Sequence, residues 1–393
     1  MEQKKERLLY LDGMKALALF FVFNTHFLNA FYSGIYTLNP KDFKTSSGVE
    51  WIIGATPLNL VYAGKLGARI FLGISAFLVV WNYFNSYKIS SPFQFVKSVC
   101  KRYLRLLPAI AVVNVLVWAG MMLGLYQNKE AAQLIGTQEF YGVYNQFSPS
   151  VVDALKEAIY GCFILGSNDY NGPLWFIQYE FLGCMLLGLI LMVFGKYKLR
   201  YLCYGIGIVV FIRSDYLVMI LCALAADVMV HYEDLIEGIL ATSLIPVLRV
   251  SVRSLLWLLV IPAFYFATFP SYGTNLENSI YAFLPAKVLF YYNIVIPCIL
   301  VLIAYLKPLR KVMEWKGFAK LNRISYCFYL IHFPVLCMFS SWFYLNGYQN
   351  VNYHILTLLN YVATISIVLI LSFFLTKVID QPAVRLAGFV TGR

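Results

Sequence analysis

The sequence predicts an all-α membrane protein, a bundle of about ten transmembrane helices with both termini in the cytoplasm. Of its 393 residues, 61% are hydrophobic and 13% are charged, whereas soluble domains carry roughly 25% charged residues. The mean hydropathy is +0.70, and apolar runs that could cross ~30 Å of hydrocarbon recur along the whole chain. No internal repeat and no soluble segment large enough to fold alone is evident. We therefore expect residues 1–393 to form a single transmembrane domain.

Ten apolar segments are predicted to span the bilayer, although the fifth is short for a span. They lie near residues 8–31, 58–83, 104–126, 173–195, 199–212, 215–232, 254–270, 283–306, 324–345 and 354–378. An eleventh apolar stretch, residues 235–250, contains Pro246 and has acidic residues at its N-terminal end. We interpret it as an interfacial helix. If it spans the bilayer instead, the downstream topology inverts.

The positive-inside rule tests this arrangement, because Lys and Arg accumulate in cytoplasmic loops. With the N-terminus inside, 23 of the 31 basic residues lie on the inner side. The eight on the outer side are Lys41, Lys44, Lys65, Arg69, Lys129, Lys156, Arg213 and Lys287. The basic residues form no continuous stripe, so the net charge of +12 indicates membrane orientation and not nucleic-acid binding.

Three long outer segments, residues 32–57, 127–172 and 270–282, are rich in polar and aromatic residues. Such a surface suits contact with a polar substrate. The eight cysteines lie mostly within apolar runs, without a CxxC pair or a Cys/His spacing. The sequence therefore indicates neither a metal site nor a disulfide framework.

Lys15 and His26 lie eleven residues apart on the first predicted span. Eleven residues make about three helical turns, so both side chains project from one helix face, about 16 Å apart. Ionisable groups inside a span are costly and are functional candidates by default. An imidazole can take a proton from a hydroxyl at neutral pH, but a structural histidine that bonds to a neighbouring helix is the alternative. The favoured interpretation is a site that extends across the bilayer.

Two further pairs of basic residues share helix faces. Arg102 and Arg105 lie three residues apart at the inner end of the third span, where they either anchor the span or bind phosphates bidentately. Lys65 and Arg69 lie four residues apart in the outer half of the second span. Because this position opposes the positive-inside bias, anchoring explains the second pair poorly.

Acidic residues and a second histidine also lie within predicted spans. Glu180 is placed at a depth comparable to Arg69, and we expect the two to pair near His26, either for function or as a structural ion pair. Asp227 and His332 are interpreted as weaker candidates, each a satisfied polar group between helices. Asp12, one turn before Lys15, is in position to pair with that lysine.

In their order and spacing, these residues resemble the motifs of the acyltransferase 3 family. Its members are bacterial integral-membrane enzymes that O-acylate surface and exported carbohydrates. The stretches that carry the resemblance are Leu11–Ala18 with His26, Gly67–Leu78, Arg102–Arg105, Pro173–Phe176 with Glu180, Ile324–Pro334 and Asp380–Pro382. No one of these motifs is specific, but together they cover nearly the whole chain.

Three positions depart from the family pattern. Lys15 stands where the family usually has Arg, which keeps the charge but loses the bidentate geometry. Ala76 replaces a usual Gly, and Asp380 replaces a usual Glu. We expect a stand-alone member, without the SGNH-type domain that follows the last span in some relatives.

The resemblance implies a multi-pass acyltransferase of the bacterial plasma membrane, with no bound cofactor. The donor would be a cytoplasmic acyl-CoA, most simply acetyl-CoA, bound by Lys15, Arg102 and Arg105. The acceptor would be a glycan hydroxyl that arrives from outside. His26 would be catalytic, either by deprotonating the hydroxyl or by becoming acylated itself. Glu180 would orient His26 or bind the sugar.

Lys65, Arg69 and Trp175 are expected to form an acceptor or ion-pair site at the outer side. Two other functional classes fit the composition. A transporter or flippase for a lipid-linked glycan would also have buried charges, although the repeated broken helices of transporters are not evident. A structural subunit of a polysaccharide export complex would not need the buried ionisable residues. The sequence does not specify an oligomeric state.

Overall fold

The computed structural model describes residues 8–86, 89, 91–137, 141–245, 250–270 and 275–390. Its first half contains α1 (Leu9–Phe31), α2 (Gly34–Thr37), α3 (Val49–Ala55), α4 (Gly64–Asn85), α5 (Pro92–Met122), α6 (Asn128–Ile135), α7 (Val151–Lys156), α8 (Trp175–Phe194), α9 (Arg200–Val210) and α10 (Tyr216–His231). Its second half contains α11 (Glu233–Ala241), a hairpin of β1 (Ser243–Ile245) and β2 (Val250–Ser251), α12 (Val252–Ala267), α13 (Val288–Tyr305), α14 (Lys307–Met313), α15 (Lys316–Asn322), α16 (Ser325–Val335), α17 (Ser341–Gly347), α18 (Tyr353–Leu375) and α19 (Gln381–Val390). The predicted all-α helical bundle is confirmed.

Within the described residues, seven continuous helical stretches are long and apolar enough to cross a membrane. They are Leu9–Phe31, Gly64–Asn85, Pro92–Met122, Gly172–Phe194, Val288–Tyr305, Ser325–Gly347 and Tyr353–Val390. The pair α10 and α11 adds an eighth only if the two helices count as one broken span. The fifth and seventh predicted spans correspond to the shorter helices α9 and α12. An 11-residue helix such as α9 is only about 16 Å long, so the count of ten remains a prediction.

Two predicted boundaries differ from the structure for local reasons. The third span begins at Pro92, well before residue 104, because Ser91 caps the helix by accepting from the Gln94 amide and Pro92 suits the first turn. The helix then continues through the basic segment. The predicted interfacial helix ends at Ala241 and turns 81° from α10, as a helix along the membrane surface would. Pro246 lies outside the described residues.

The helix α4 lies at the centre of the bundle and packs against α1, α8, α10 and α13. Its contact with α1 depends on two glycines. A Cβ atom at Gly67 would lie 2.8 Å from the Ala18 carbonyl oxygen, and one at Gly64 would lie 2.5 Å from Thr25 Oγ1. Small residues let membrane helices approach this closely. Thr25 accepts a hydrogen bond from the Gly64 amide at 2.7 Å, which fixes α4 beside the residue that precedes His26.

The long segment between α5 and α8 folds back onto the helices that carry the histidines. Thr137 donates to the Ala30 carbonyl at the end of α1, at 2.9 Å. Tyr141 donates from its hydroxyl to the Leu336 carbonyl at 3.0 Å. Asn171 donates to the Leu330 carbonyl at 2.8 Å. These bonds hold the segment over the C-terminal end of α1 and over α16.

Candidate functional site

The packing of α16 against α1 brings two histidines together. The ring centroids of His26 and His332 are 5.2 Å apart, and the Phe333 ring lies 4.9 Å from His26. Between the same helices, Phe23 packs edge-on against Phe328 at 6.1 Å. His332 is 0% exposed. The sequence-based interpretation of His332 as a mere packing residue missed its place beside His26.

The hydrogen bonds of His332 fix its tautomer. Nδ1 lies 2.7 Å from the Tyr329 carbonyl oxygen and 3.2 Å from that of Phe328. Because a carbonyl only accepts, Nδ1 carries the proton in the neutral ring and Nε2 keeps its lone pair. Among the described residues, nothing donates to this buried Nε2. His332 thus presents a proton acceptor in the interior of the bundle.

A second cluster surrounds Lys15, three helical turns from His26. The guanidinium of Arg102 on α5 pairs directly with the Glu180 carboxylate on α8. Arg102, Glu180 and Arg105 all lie in the electrostatic neighbourhood of Lys15. Four charged groups from three helices are thereby collected at one level. The predicted donor-binding residues are therefore close together.

The structure contradicts the predicted pairing of Glu180 with Arg69. Glu180 pairs with Arg102, and Arg69 pairs with Asp215 at 2.6 Å. Glu180 was expected beside His26, but it lies at the level of Lys15, about 16 Å below His26 by helical rise. The error arose because depth within a span was counted from the helix end, whereas α8 begins in the interior of the bundle, where the Tyr329 hydroxyl donates to the Pro173 carbonyl.

A cavity of about 160 Å³ opens beside the Arg102–Glu180 pair. Arg102 and Cys184 line its inner end, and Ser98, Asn82 and Tyr83 add polar atoms to its wall. The Arg102 side chain is 29% exposed, so its guanidinium is accessible from this cavity. Such a pocket can admit a ligand to the arginine.

The predicted outer pair of basic residues belongs to a third cluster. Arg69 is 3% exposed, bonds Asp215, and donates to the Lys65 carbonyl at 2.8 Å. The Tyr179 ring lies 5.9 Å from that of Trp175 and within the electrostatic neighbourhood of Arg69 and Asp215. Trp175 is half-buried. The cluster thus brings Arg69 and its ion-pair partner near the Tyr179 ring, and its role as an acceptor site stays a prediction.

Asp227 and Asp12 have partners that suit structural roles. Asp227 is 0% exposed and accepts from Arg200 Nε at 2.7 Å, Arg200 Nη2 at 3.0 Å, and the hydroxyls of Tyr201 and Tyr204. Asp12 accepts from Asn322 at 2.6 Å, in addition to lying near Lys15. The interpretation of Asp227 as a satisfied polar group agrees with this geometry.

Sequence reasoning also missed Glu157, a buried carboxyl in the segment before α8. It accepts from the backbone amides of Asp169 and Tyr170 at 2.6 and 3.2 Å and from Asn114 at 3.0 Å. Glu157 lies outside the candidate spans and is 5% exposed. Burial raises the pKa of its carboxyl to about 7, against the lowering effect of its hydrogen bonds. No motif marks it in the sequence.

Glu157 is linked to the histidine site indirectly, through residues 169–173. Asn171, two residues after Asp169, bonds the Leu330 carbonyl, and the Tyr329 hydroxyl donates to the Pro173 carbonyl at 2.9 Å. The Tyr329 carbonyl in turn accepts from His332. The carboxyl therefore helps to position α16.

One comparison with known proteins assigns the chain to a family. The acyltransferase 3 family, described as an acyltransferase domain, matches residues 8–377, which is nearly the whole chain. No curated protein and no solved structure matches it. The matched region contains both histidines and the charged cluster around Lys15. The chain therefore belongs to the acyltransferase 3 family and is a multi-pass membrane acyltransferase.

Proposed function

We propose that the protein is an O-acyltransferase of the bacterial plasma membrane. It transfers an acyl group, most simply acetyl, from cytoplasmic acyl-CoA to a glycan hydroxyl on the outer side. One observation carries this proposal above the others. One face of α1 bears a cationic cluster at Lys15 and a histidine cluster at His26, on opposite sides of the bilayer by the positive-inside rule.

The cationic cluster is the proposed donor site. Phosphates of CoA carry several negative charges, and guanidinium groups bind phosphate oxygens bidentately. Arg102 is reachable from a cavity of about 160 Å³, and Arg105 is exposed. Glu180 would hold the Arg102 side chain in place until a phosphate competes for it. Lys15 adds a point charge at the same level.

The distance between the clusters suits the donor. Eleven residues of α1 separate Lys15 from His26 by about 16 Å. The pantetheine arm of CoA is thin, flexible and of comparable length, so its thioester would reach the histidines while its phosphates stay at the arginines. The fit requires a passage along α1 that opens when the donor binds.

At His26 the thioester would meet the acceptor hydroxyl. In direct transfer, the hydroxyl oxygen bonds to the carbonyl carbon, the C–S bond breaks, and the hydroxyl proton ends on the CoA sulfur through an imidazole. In the covalent route, a His26 nitrogen bonds to the carbonyl carbon, the C–S bond breaks, and CoA leaves with the imidazole proton. The hydroxyl oxygen then displaces the imidazole from the acyl group, and the hydroxyl proton returns to His26. Both routes require His26, and both give the same net reaction.

The cluster of Lys65, Arg69 and Trp175 is the proposed acceptor side. Thr25 precedes His26 in the sequence and accepts a hydrogen bond from the Gly64 amide. The backbone of Lys65, the residue after Gly64, therefore lies close to the histidine site. Trp175 and Tyr179 offer ring faces on which a sugar can stack. Two cations and Asp215 offer polar groups that can bind hydroxyls or acidic sugar substituents.

The test is mass spectrometry of cell-surface glycans from cells with and without the gene. We expect a base-labile ester that is lost without the gene and is also lost in His26→Ala. The matched control is His354→Ala, because His354 is exposed on α18 and bonds Tyr32 at 2.9 Å. This control should keep the ester. Variant levels in the membrane are compared by immunoblot.

Two outcomes would contradict the proposal. Normal ester levels in His26→Ala would remove His26 from the reaction. Glycans that change in location but not in covalent structure when the gene is deleted would favour a flippase.

A further inference from the structure

We propose that His332 is a second catalytic imidazole, whose Nε2 takes the proton of the acceptor hydroxyl. The inference rests on the proposed function and adds to it a base distinct from His26. Three observations about His332 carry it: its fixed tautomer, its buried acceptor nitrogen and its place beside His26.

The first observation is the tautomer. The bond from Nδ1 to the Tyr329 carbonyl, at 2.7 Å, leaves the lone pair on Nε2. A general base needs this arrangement, because only the unprotonated nitrogen can accept a proton. The bond to the backbone carbonyl also fixes the orientation of the ring.

The second observation is burial. His332 is 0% exposed, and across the described part of the chain nothing donates to its Nε2. Buried polar atoms in proteins are nearly always hydrogen-bonded, because leaving one unsatisfied costs free energy. Two neighbouring side chains show the usual pattern: Asn24 on α1 accepts from the Tyr361 hydroxyl, and Asn360 on α18 donates to the Ser340 carbonyl. An acceptor kept unsatisfied in the bundle suits a donor that arrives with the substrate.

The third observation is the neighbouring imidazole. The ring centroids of His332 and His26 are 5.2 Å apart, so one reacting group can lie against both rings. When the hydroxyl oxygen attacks the thioester carbonyl, the O–C bond forms and the C–S bond breaks. The hydroxyl proton goes to His332 Nε2 and then to the CoA sulfur, directly or through His26. In the covalent route, the CoA sulfur leaves with the imidazole proton of His26. The hydroxyl then attacks the acyl group, His332 Nε2 takes the hydroxyl proton, and that proton passes to the His26 nitrogen as its C–N bond breaks.

The aromatic wall around His332 supports this placement. The Phe176 and Phe71 rings lie 5.3 and 6.1 Å from the Tyr329 ring. The Trp175 ring lies 6.3 Å from the Phe176 ring. The wall therefore continues from His332 to the proposed acceptor side.

Two substitutions separate proton transfer from hydrogen bonding. In His332→Asn, the side-chain NH2 can keep the bond to the Tyr329 carbonyl, but the shorter side chain places no acceptor at the Nε2 position. In His332→Gln, the amide oxygen can accept a hydrogen bond near the Nε2 position but does not take up a proton. The control is His231→Gln, since His231 Nδ1 also bonds a carbonyl four residues earlier, at 2.9 Å, outside the site.

The assay uses protein in lipid nanodiscs, radiolabelled acetyl-CoA, and a glycan extract from cells that lack the gene. We expect kcat to fall about 10²–10⁴-fold in both His332 variants, the range for losing a general base. The KM for acetyl-CoA should stay within a factor of about three, and the control should match the wild-type protein. Retained CoA binding by the variants shows that they are folded.

Several results would overturn the assignment. A Gln variant with more than a tenth of the wild-type kcat would reduce His332 to a hydrogen-bond acceptor. Variants that no longer fold or bind CoA would make it a structural residue. These results, with an active wild-type protein, refute the role of His332 alone. A wild-type protein that forms no ester would refute the proposed function together with this inference.

Discussion

Two buried arginine–carboxylate pairs in this protein have the same chemistry and different surroundings. Arg200 and Asp227 are 6% and 0% exposed and make two N–O bonds. Tyr201 and Tyr204 also donate to the Asp227 carboxylate. Arg102, by contrast, is 29% exposed and contacts Glu180 through one oxygen. Within the described residues, the second Glu180 oxygen accepts nothing.

The difference separates a structural pair from a binding pair. A buried pair with every polar atom bonded gives nothing to a ligand, and losing one partner strands a charge. A pair with unused bonding capacity beside a cavity can exchange its partner for a substrate group. Burial of a charge therefore does not identify a site by itself. The number of unsatisfied atoms and their access to a cavity make the distinction, and they set the ranking of the effects below.

The largest stability effect is expected at Asp227. Asp227→Asn leaves the Arg200 guanidinium buried without its counter-charge, which costs about 3–5 kcal/mol. Thermal unfolding in detergent should show a large drop in midpoint or a loss of expressed protein. The control is Asp153→Asn, because Asp153 and Lys156 form an exposed pair whose loss costs about 1 kcal/mol or less. Equal effects in the two variants would show that the buried Asp227 pair stabilises the protein no more than the exposed Asp153 pair does.

We expect a substitution of Arg102 to weaken binding of the acyl donor and to have little effect on the free energy of unfolding. Arg102→Lys keeps the charge but loses bidentate contact. Charged hydrogen bonds contribute about 1.5–3 kcal/mol, so the KM for acetyl-CoA should rise about 10–100-fold. Arg253→Lys is the control, since Arg253 has a similar exposure, 28%, and pairs with Glu237 on α11, outside the donor cluster. An unchanged KM in Arg102→Lys would move the donor site elsewhere.

Glu157 makes a pH-dependent contribution to stability. Its carboxyl has a pKa of about 7 in the folded protein, against an ordinary value of 4.5. Between these values the folded state binds more protons than the unfolded state, so stability falls as pH rises from 4.5 to 7, by at most about 3 kcal/mol. The unfolding midpoint of Glu157→Gln should change less with pH over this range than that of the wild-type protein. The exposed Glu130 provides the control Glu130→Gln, which should keep the wild-type slope.

The smallest effect is expected at the proposed acceptor side. Trp175→Ala removes one ring face, and contacts between aromatic rings contribute about 0.5–1.5 kcal/mol beyond their burial. Surface ester should therefore fall about two- to tenfold, with the KM for acetyl-CoA unchanged. Trp342→Ala is the control, because Trp342 is half-exposed on α17. A changed KM for acetyl-CoA would place Trp175 on the donor side.

Hydropathy and periodicity predicted the fold well, because the bilayer admits few alternatives to apolar helices. They located α1, α8 and the helical stretch Ser325–Gly347 to within a few residues. They placed one boundary wrongly, because local capping starts α5 at Pro92 and not near residue 104. The fifth span, which corresponds to the 11-residue helix α9, stays a prediction.

The sequence identified individual candidate residues of the site but not which of them contact one another. Lys15 and His26 follow from the cost of charges in spans, and that argument uses the sequence alone. Arg102 was singled out by its spacing from Arg105 on one helix face. Which residues meet depends on helix rotation and tilt, which hydropathy does not specify. Glu180 was therefore assigned to Arg69 and not to Arg102, and His332 was undervalued although it lies in the Ile324–Pro334 motif. Sequence analysis could have ranked His332 higher by that motif.

The most direct test supplies labelled acetyl-CoA to membrane vesicles of known orientation. Inside-out vesicles expose the proposed donor site, so ester should form on glycan inside them with wild-type protein and His354→Ala, and not with His26→Ala. Sealed right-side-out vesicles should form none until they are permeabilised. Ester formation at the wild-type rate by His26→Ala, or equal labelling of sealed vesicles of both orientations, would contradict acyl transfer across the bilayer along α1.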